Sequence, residues 1–93
     1  MDFSPATVNV VLPTALVLLF PGCSREVAVA AGTVSEAIGA LDARWPGMRD
    51  RLCDERPAIR RHINVFVGGE RAGLATWLEP GAEMVVLMAI SGG

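Results

Sequence analysis

The residues best placed to do chemistry are the last two. Gly92 and Gly93 end the chain directly after an apolar stretch that reads as a strand. Glycine has no Cβ and loses the most conformational freedom on ordering, so a diglycine is a poor way to finish a fold. It is a good way to make a thin tail that threads into another protein's active site, with the Gly93 carboxylate as the group a partner can reach and activate. Two consecutive glycines at this place arise by chance in roughly one chain in two hundred, so the ending gains weight only if the rest of the pattern agrees.

The other reactive side chains offer less. Cys23 and Cys53 lie 30 positions apart and form no C-x-x-C pair, and His62 is the one histidine. That leaves no zinc site by spacing and no disulfide scaffold. Each cysteine is expected to be a reduced, half-buried thiol, and His62 a surface residue at a strand end. Adjacent Asp54 and Glu55 read as a solvated loop. Trp45 and Trp77 are expected as core or semi-buried anchors.

Composition sets the frame. Ninety-three residues, 52% hydrophobic and 19% charged, make one small globular domain. The net charge of −2 carries no basic nucleic-acid footprint. All eight basic residues are arginine, so the chain offers no lysine ε-amine for isopeptide linkage to itself. Residues 8–20 are apolar and run into Phe20-Pro21-Gly22-Cys23, which faintly resembles a lipoprotein cleavage site. A signal peptide needs a basic start and an unbroken apolar stretch. No arginine precedes Arg25, and Asn9 and Pro13 interrupt the run. The stretch is also too short to span a bilayer, so the expectation is a cytoplasmic protein with neither a membrane nor a nucleic-acid partner.

Elements must hold that tail. Residues 7–12 alternate, with Val8, Val10 and Leu12 on one face, and Pro13 ends the strand. Residues 25–30 alternate again through Val27 and Val29, predicting an antiparallel pair joined by a long, partly apolar connection over 13–24. Thr33-Val34-Ser35-Glu36 is a capping box opening a helix. Its apolar stripe is Val34, Ile38, Leu41 and Trp45, and Pro46-Gly47 stops it. Residues 48–53 read as a further short helical turn, and 54–61 as a surface loop containing Pro57. Residues 62–67 are the clearest strand. Gly68-Gly69 and Pro80-Gly81 mark turns, 71–78 a short edge strand and tight turn, and 83–88 the last strand. An amphipathic helix over such a sheet, with the apolar first and last strands as parallel central neighbours, is an α+β arrangement of the β-grasp (ubiquitin-like) type: four to five mixed strands and one main helix. The expected division is residues 1–88 as the domain and 89–93 as a flexible tail.

Several segments resemble one family. His62-Ile63-Asn64-Val65-Phe66-Val67-Gly68-Gly69-Glu70 is similar to the central strand and turn of the MoaD/ThiS sulfur carriers. Leu78-Glu79-Pro80-Gly81-Ala82-Glu83-Met84 resembles the turn before their last strand, and Ile90-Ser91-Gly92-Gly93 their tail. Gly32-Thr33-Val34 and Trp45-Pro46-Gly47 fit as well, so the resemblance covers nearly the whole chain. Gly73-Leu74-Ala75-Thr76 and Arg60-Arg61-His62 look most like the CysO type, which supplies sulfur for cysteine synthesis. Pro80 and Ala82 depart from the usual acidic turn, Met88 stands where proline is frequent, and Gly69 where asparagine is common. These departures bear on the pathway rather than on the tail.

The resemblance implies a carrier without catalysis of its own and with no bound cofactor. A ubiquitin-activating-type adenylyltransferase uses ATP to adenylate Gly93. A sulfur donor or sulfurtransferase then gives the thiocarboxylate, and a biosynthetic enzyme accepts the sulfur. A metalloprotease that processes the tail is a further implied partner. Cysteine, molybdopterin, thiamine, thiolated tRNA and sulfur-containing metabolites are all open destinations. An apolar patch should dock the partner. If Ile63, Val65, Val67, Met84, Val86 and Met88 face the helix, then Phe66, Val85 and Leu87 face outward as that patch, or as ordinary sheet surface or a dimer face. Arg61 and Arg71 are expected at its rim. Two other functions stand beside this one: a ubiquitin-like modifier conjugated through Gly93, and a non-catalytic interaction domain.

Overall fold

The computed structural model describes residues 7–89. The expected tail residues Ile90, Ser91, Gly92 and Gly93 therefore lie outside the described residues. Alternation builds the first pair as expected: β1 (Thr7–Val11) runs antiparallel to β2 (Glu26–Ala30), with Val10 opposite Val27 and Val8 opposite Val29. The strand stops one residue before Leu12, whose side chain is nonetheless fully buried and whose amide donates to the Arg25 carbonyl at 2.7 Å. The connection that read as irregular contains a short helix, α1 (Thr14–Val17), which begins right after Pro13 and buries Leu16. Pro13 is the N-cap: its backbone is still extended, and its carbonyl accepts from the Leu16 and Val17 amides at 3.0 and 3.1 Å. A four-residue helix is too short for period 3.6 to show in sequence.

Helix α2 (Val34–Arg44) is capped by Thr33, whose hydroxyl accepts from the Glu36 amide at 3.1 Å. The Glu36 carboxylate reaches back to accept from the Gly32 amide at 2.7 Å, one residue beyond the cap itself. The carbonyls of Thr76 and Leu74 take the Val34 and Ser35 amides, so the last connection of the chain helps finish the first helical turn. The buried stripe is Val34, Ala37, Ile38 and Leu41, and Trp45 caps the far end half-buried. Thr33→Ala removes one cap acceptor and is expected to lower stability by about 1 kcal/mol, read as a lower denaturant midpoint with an unchanged slope.

Gly47 has φ 102° and lets the chain turn into α3 (Met48–Leu52), which buries Met48 and Leu52. A Cβ there would be strained by that φ and would meet the Phe20 ring at 3.6 Å. Residues 54–61 form the expected loop, organised by Asp54. One Asp54 oxygen accepts from the amides of Arg56 (3.0 Å) and Ala58 (3.1 Å), and the other from the Arg56 guanidinium at 2.8 and 2.5 Å. The Arg56 side-chain bond, then its backbone amide, hold the Asp54 carboxyl down to about 2 from 3.8. The folded value lies below the unfolded one. Its contribution is therefore full above 3.8 and is lost as pH falls through about 2. NMR titration of the Asp54 carboxyl carbon should give a midpoint near 2, moving upward in Arg56→Ala.

β3 (Ile63–Val67) and β4 (Glu70–Arg71) form a hairpin whose two loop residues, Gly68 and Gly69, have φ 60° and 82°. That is the mirror-image turn that matches strand twist and needs positive φ at both positions. The expected edge strand over 71–78 is thus shorter and earlier. The Ala72 amide still donates to the Val65 carbonyl at 2.7 Å; the chain then turns to the start of α2, where the Leu74 and Thr76 carbonyls accept and Trp77 bridges Thr33. β5 (Glu83–Met88) enters the middle of the sheet, parallel to β1 and antiparallel to β3, giving the order β2-β1-β5-β3-β4. This is the β-grasp arrangement, with five strands. Val8, Val10, Ile63, Val65, Met84 and Val86 meet α2 in one core, and no polar or charged side chain is buried there among the described residues. Val67 and Met88, on the same face, are only partly buried against it. Each buried Val, Leu or Ile contributes roughly 1.5–3 kcal/mol.

Candidate functional site

The outer face of the sheet follows from the pleat. Register aligns Glu26 with Val11, Val11 with Val85, Val85 with Phe66, and Phe66 with Arg71, one row crossing all five strands. The neighbouring row brings Leu87 opposite Asn64. Phe66, Val85 and Leu87 therefore lie together on the face opposite the helix. Phe66 and Val85 are half-buried, whereas Leu87 is 47% exposed. They floor an open groove of about 790 Å³ whose rim includes Gly68, Gly69, Trp77, Glu79 and Glu83.

Trp77 departs from expectation. It is 78% exposed rather than semi-buried. Its neighbour Leu78 takes the inward position at 4% exposure and donates its amide to the Gly32 carbonyl at 2.9 Å. In an extended segment adjacent side chains oppose one another, so burial of Leu78 turns Trp77 out. Period two through Thr76-Trp77-Leu78 was the signal available. A large exposed aromatic beside an apolar groove is the kind of residue that dominates protein interfaces. Leu18 at 79% and Leu19 at 49% exposure form a second apolar outcrop, on the connection between β1 and β2.

The two arginines share a recess outside the groove rather than its rim. Arg71 stands beside Phe66 on the outer face and donates from its guanidinium to the Asn64 side-chain oxygen. Arg61 is exposed and lines this recess of about 410 Å³ with Pro57, Ile59, Arg71 and Leu74 along the far edge of β3. The Ala89 amide donates to the His62 carbonyl at 2.7 Å, so the chain leaves the sheet beside His62 and Arg61. Ala89, the last described residue, and the outward apolar row share one sheet, and Leu87 is two residues before it.

Neither cysteine adds reactivity. Both are free. Cys23 is half-buried as expected, but Cys53 is fully inside, held in a bridge to Ile59. Burial pushes both thiols up, keeping them protonated near neutral pH and weakly nucleophilic. Among the described residues there is no group of three or more His, Cys, Asp or Glu side chains that could hold a metal ion, and no helix long and apolar enough to cross a membrane.

No family model matches the chain. Curated relatives and solved structures do. The sulfur carrier protein CysO of Mycobacterium tuberculosis is 31% identical over 94 residues, covering 92% of this chain and 98% of the relative. A chain of the BexX/CysO complex from Amycolatopsis orientalis superposes with a TM-score of 0.82 at 31% identity, covering 92% of this chain and 99% of that one. SAMP1 of Haloferax volcanii superposes at 0.79 with 29% identity over 94% of this chain and 99% of its own.

Proposed function

The chain belongs to the MoaD/ThiS-type ubiquitin-like sulfur carriers, CysO-like in kind, and from that premise we propose that its Gly93 carboxylate is the group that carries sulfur. The likeness to CysO along almost the full length of both chains is the observation that carries this reading. In the first step the carboxylate oxygen attacks the α-phosphorus of ATP in a partner enzyme, releasing pyrophosphate and leaving an acyl-adenylate. In the second a sulfide-equivalent donor attacks the acyl carbon, AMP departs with its electron pair, and a Gly93 thiocarboxylate remains. A biosynthetic enzyme then uses that sulfur as a nucleophile. The carrier itself supplies no acid, base or metal.

Its contribution is positioning. A carboxylate is a poor electrophile, and the adenylate supplies a leaving group. Binding energy gathered on the rigid body, remote from the reacting atom, holds the tail where reaction occurs. Phe66, Val85 and Leu87 are the docking floor of this scheme, with Trp77 as a flanking anchor and Arg71 and Arg61 as polar contacts. Intact-mass spectrometry tests it. Incubation with ATP, the adenylating enzyme of the same organism and a sulfur donor should add about 16 Da at the C-terminus, oxygen replaced by sulfur. An unchanged mass with a demonstrably active enzyme counts against it.

A second reading draws on the small archaeal modifier protein 1 of Haloferax volcanii, 33% identical over 61 residues and covering 66% of this chain and 70% of that protein. Here an acceptor amine attacks the same activated acyl carbon and yields a conjugate. Denaturing pull-downs distinguish the two, because only a modifier leaves covalent adducts. Lacking lysine, the chain would add once to a target without extending on its own side chains.

A further inference from the structure

The charges of the domain are sorted by end. Residues 49–62 carry five of the eight arginines against three acidic residues. The last of these residues sit where the chain exits, since Ile63 pairs with Met88 and the His62 carbonyl accepts from Ala89. Asp50, Arg51, Arg60 and His62 share a recess there, with the Arg60 guanidinium donating to the Asp50 carbonyl at 2.8 Å. Asp54 is tied to Arg56, which cancels one charge of each sign and leaves four arginines in 49–62 against exposed Asp50 and Glu55. Arg61 is exposed, and among the described residues its guanidinium has no partner. At the other end of β5, Glu70, Glu79 and Glu83 are all exposed around the Gly68–Gly69 turn and the groove rim, outnumbering exposed Arg71 next to Glu70. The length of β5, about 17 Å at the usual rise per residue, separates the ends by more than a Debye length at physiological salt.

Resting on the reading that Gly93 is delivered into an adenylating enzyme, we infer that this enzyme lines the mouth of its tail channel with carboxylates, and that opposite charge orients the approach tail-first. Reach supports the commitment. Four residues follow Ala89, spanning at most about 14 Å when extended. A carboxyl on so short a lead reacts only if the channel mouth closes on the Arg61 and His62 end. That end is positive, so an acidic rim is the complementary surface. The acidic end around Glu79 and Glu83 opposes the reversed approach. Such fields change association rates by tenfold or more and act less on dissociation.

Stopped-flow association of the full chain with the adenylating enzyme encoded in the same genome tests this, at about 20 mM and about 500 mM salt. Arg61→Glu should associate at least about tenfold more slowly than wild type at low salt and converge with it at high salt, while Arg61→Lys stays close to wild type. Circular dichroism checks that each variant folds. The inference is overturned if wild-type association is insensitive to salt, if Arg61→Glu matches wild type at low salt, or if Arg61→Lys is slowed as much as Arg61→Glu. The carrier reading fails separately. It falls if the enzyme forms no Gly93-dependent adenylate, whereas loss of steering with adenylation intact sinks only the acidic mouth.

Discussion

Deleting Gly93 abolishes the ATP- and sulfur-dependent mass gain while leaving the domain folded. That is the largest effect expected of any change in this chain. On the proposed mechanism the shortened chain still presents a carboxylate, on Gly92, but about 3.5 Å short of the reacting position. Misplacement by even about 1 Å can cost a hundredfold in rate. The fold should be unaffected, because the described body closes its core without the last four residues. Intact-mass spectrometry after incubation with the enzyme, ATP and sulfur donor reads the chemistry, and thermal unfolding reads the fold. A deletion that still gains about 16 Da would show that Gly93 is not the activated residue. Replacing Gly92 by valine should give an intermediate loss, since a branched Cβ resists both a narrow channel and the conformations open to glycine.

Substituting aspartate at Leu87 and at Val86 should have opposite consequences, although the positions are adjacent. Leu87 is 47% exposed on the outer face, and Val86 is 1% exposed under α2. Val86→Asp buries a carboxylate in a core without a cation. A charge in that setting is protonated or unfolds its surroundings, so little folded protein is expected. Leu87→Asp keeps its carboxylate in water, so the fold survives at a cost of about 1 kcal/mol in unfolding free energy, from half-burial of the leucine lost. Its larger cost falls on docking, where loss of an apolar anchor is worth about 2–4 kcal/mol, roughly 30- to 1000-fold in Kd. Isothermal titration against the adenylating enzyme measures it. If Leu87→Asp binds as wild type does, the outer face is not the docking surface. Trp77→Ala, on the groove rim, should weaken binding in the same direction with an unchanged fold.

Much of this protein is legible before any coordinates. Local rules acted where they are strongest. The alternation of Val8, Val10 and Leu12, the cap at Thr33 with its stripe through Leu41, and the paired glycines at 68 and 69 all produced the elements they predict. Phe66, Val85 and Leu87 could be assigned to one face for the same reason: the side-chain period of a strand is two, so knowing which residues are buried assigns the rest. Where local signals were short, the reading missed. Helix α1 is a single turn, and β4 is two residues long before the chain turns to the start of α2.

By itself, then, the sequence determined the elements, their inward and outward faces and the diglycine ending, because these depend on backbone period and residue chemistry between near neighbours. Tertiary structure alone decided which distant residues share a surface. It turned Trp77 out beside Phe66 by burying Leu78 under Gly32. It set Arg61 and His62 at the exit of β5, with Glu79 and Glu83 at its start. The physical reason is that burial and electrostatics depend on distance in space. The strand order β2-β1-β5-β3-β4, which sets those distances, comes from closing one core rather than from any local run of residues.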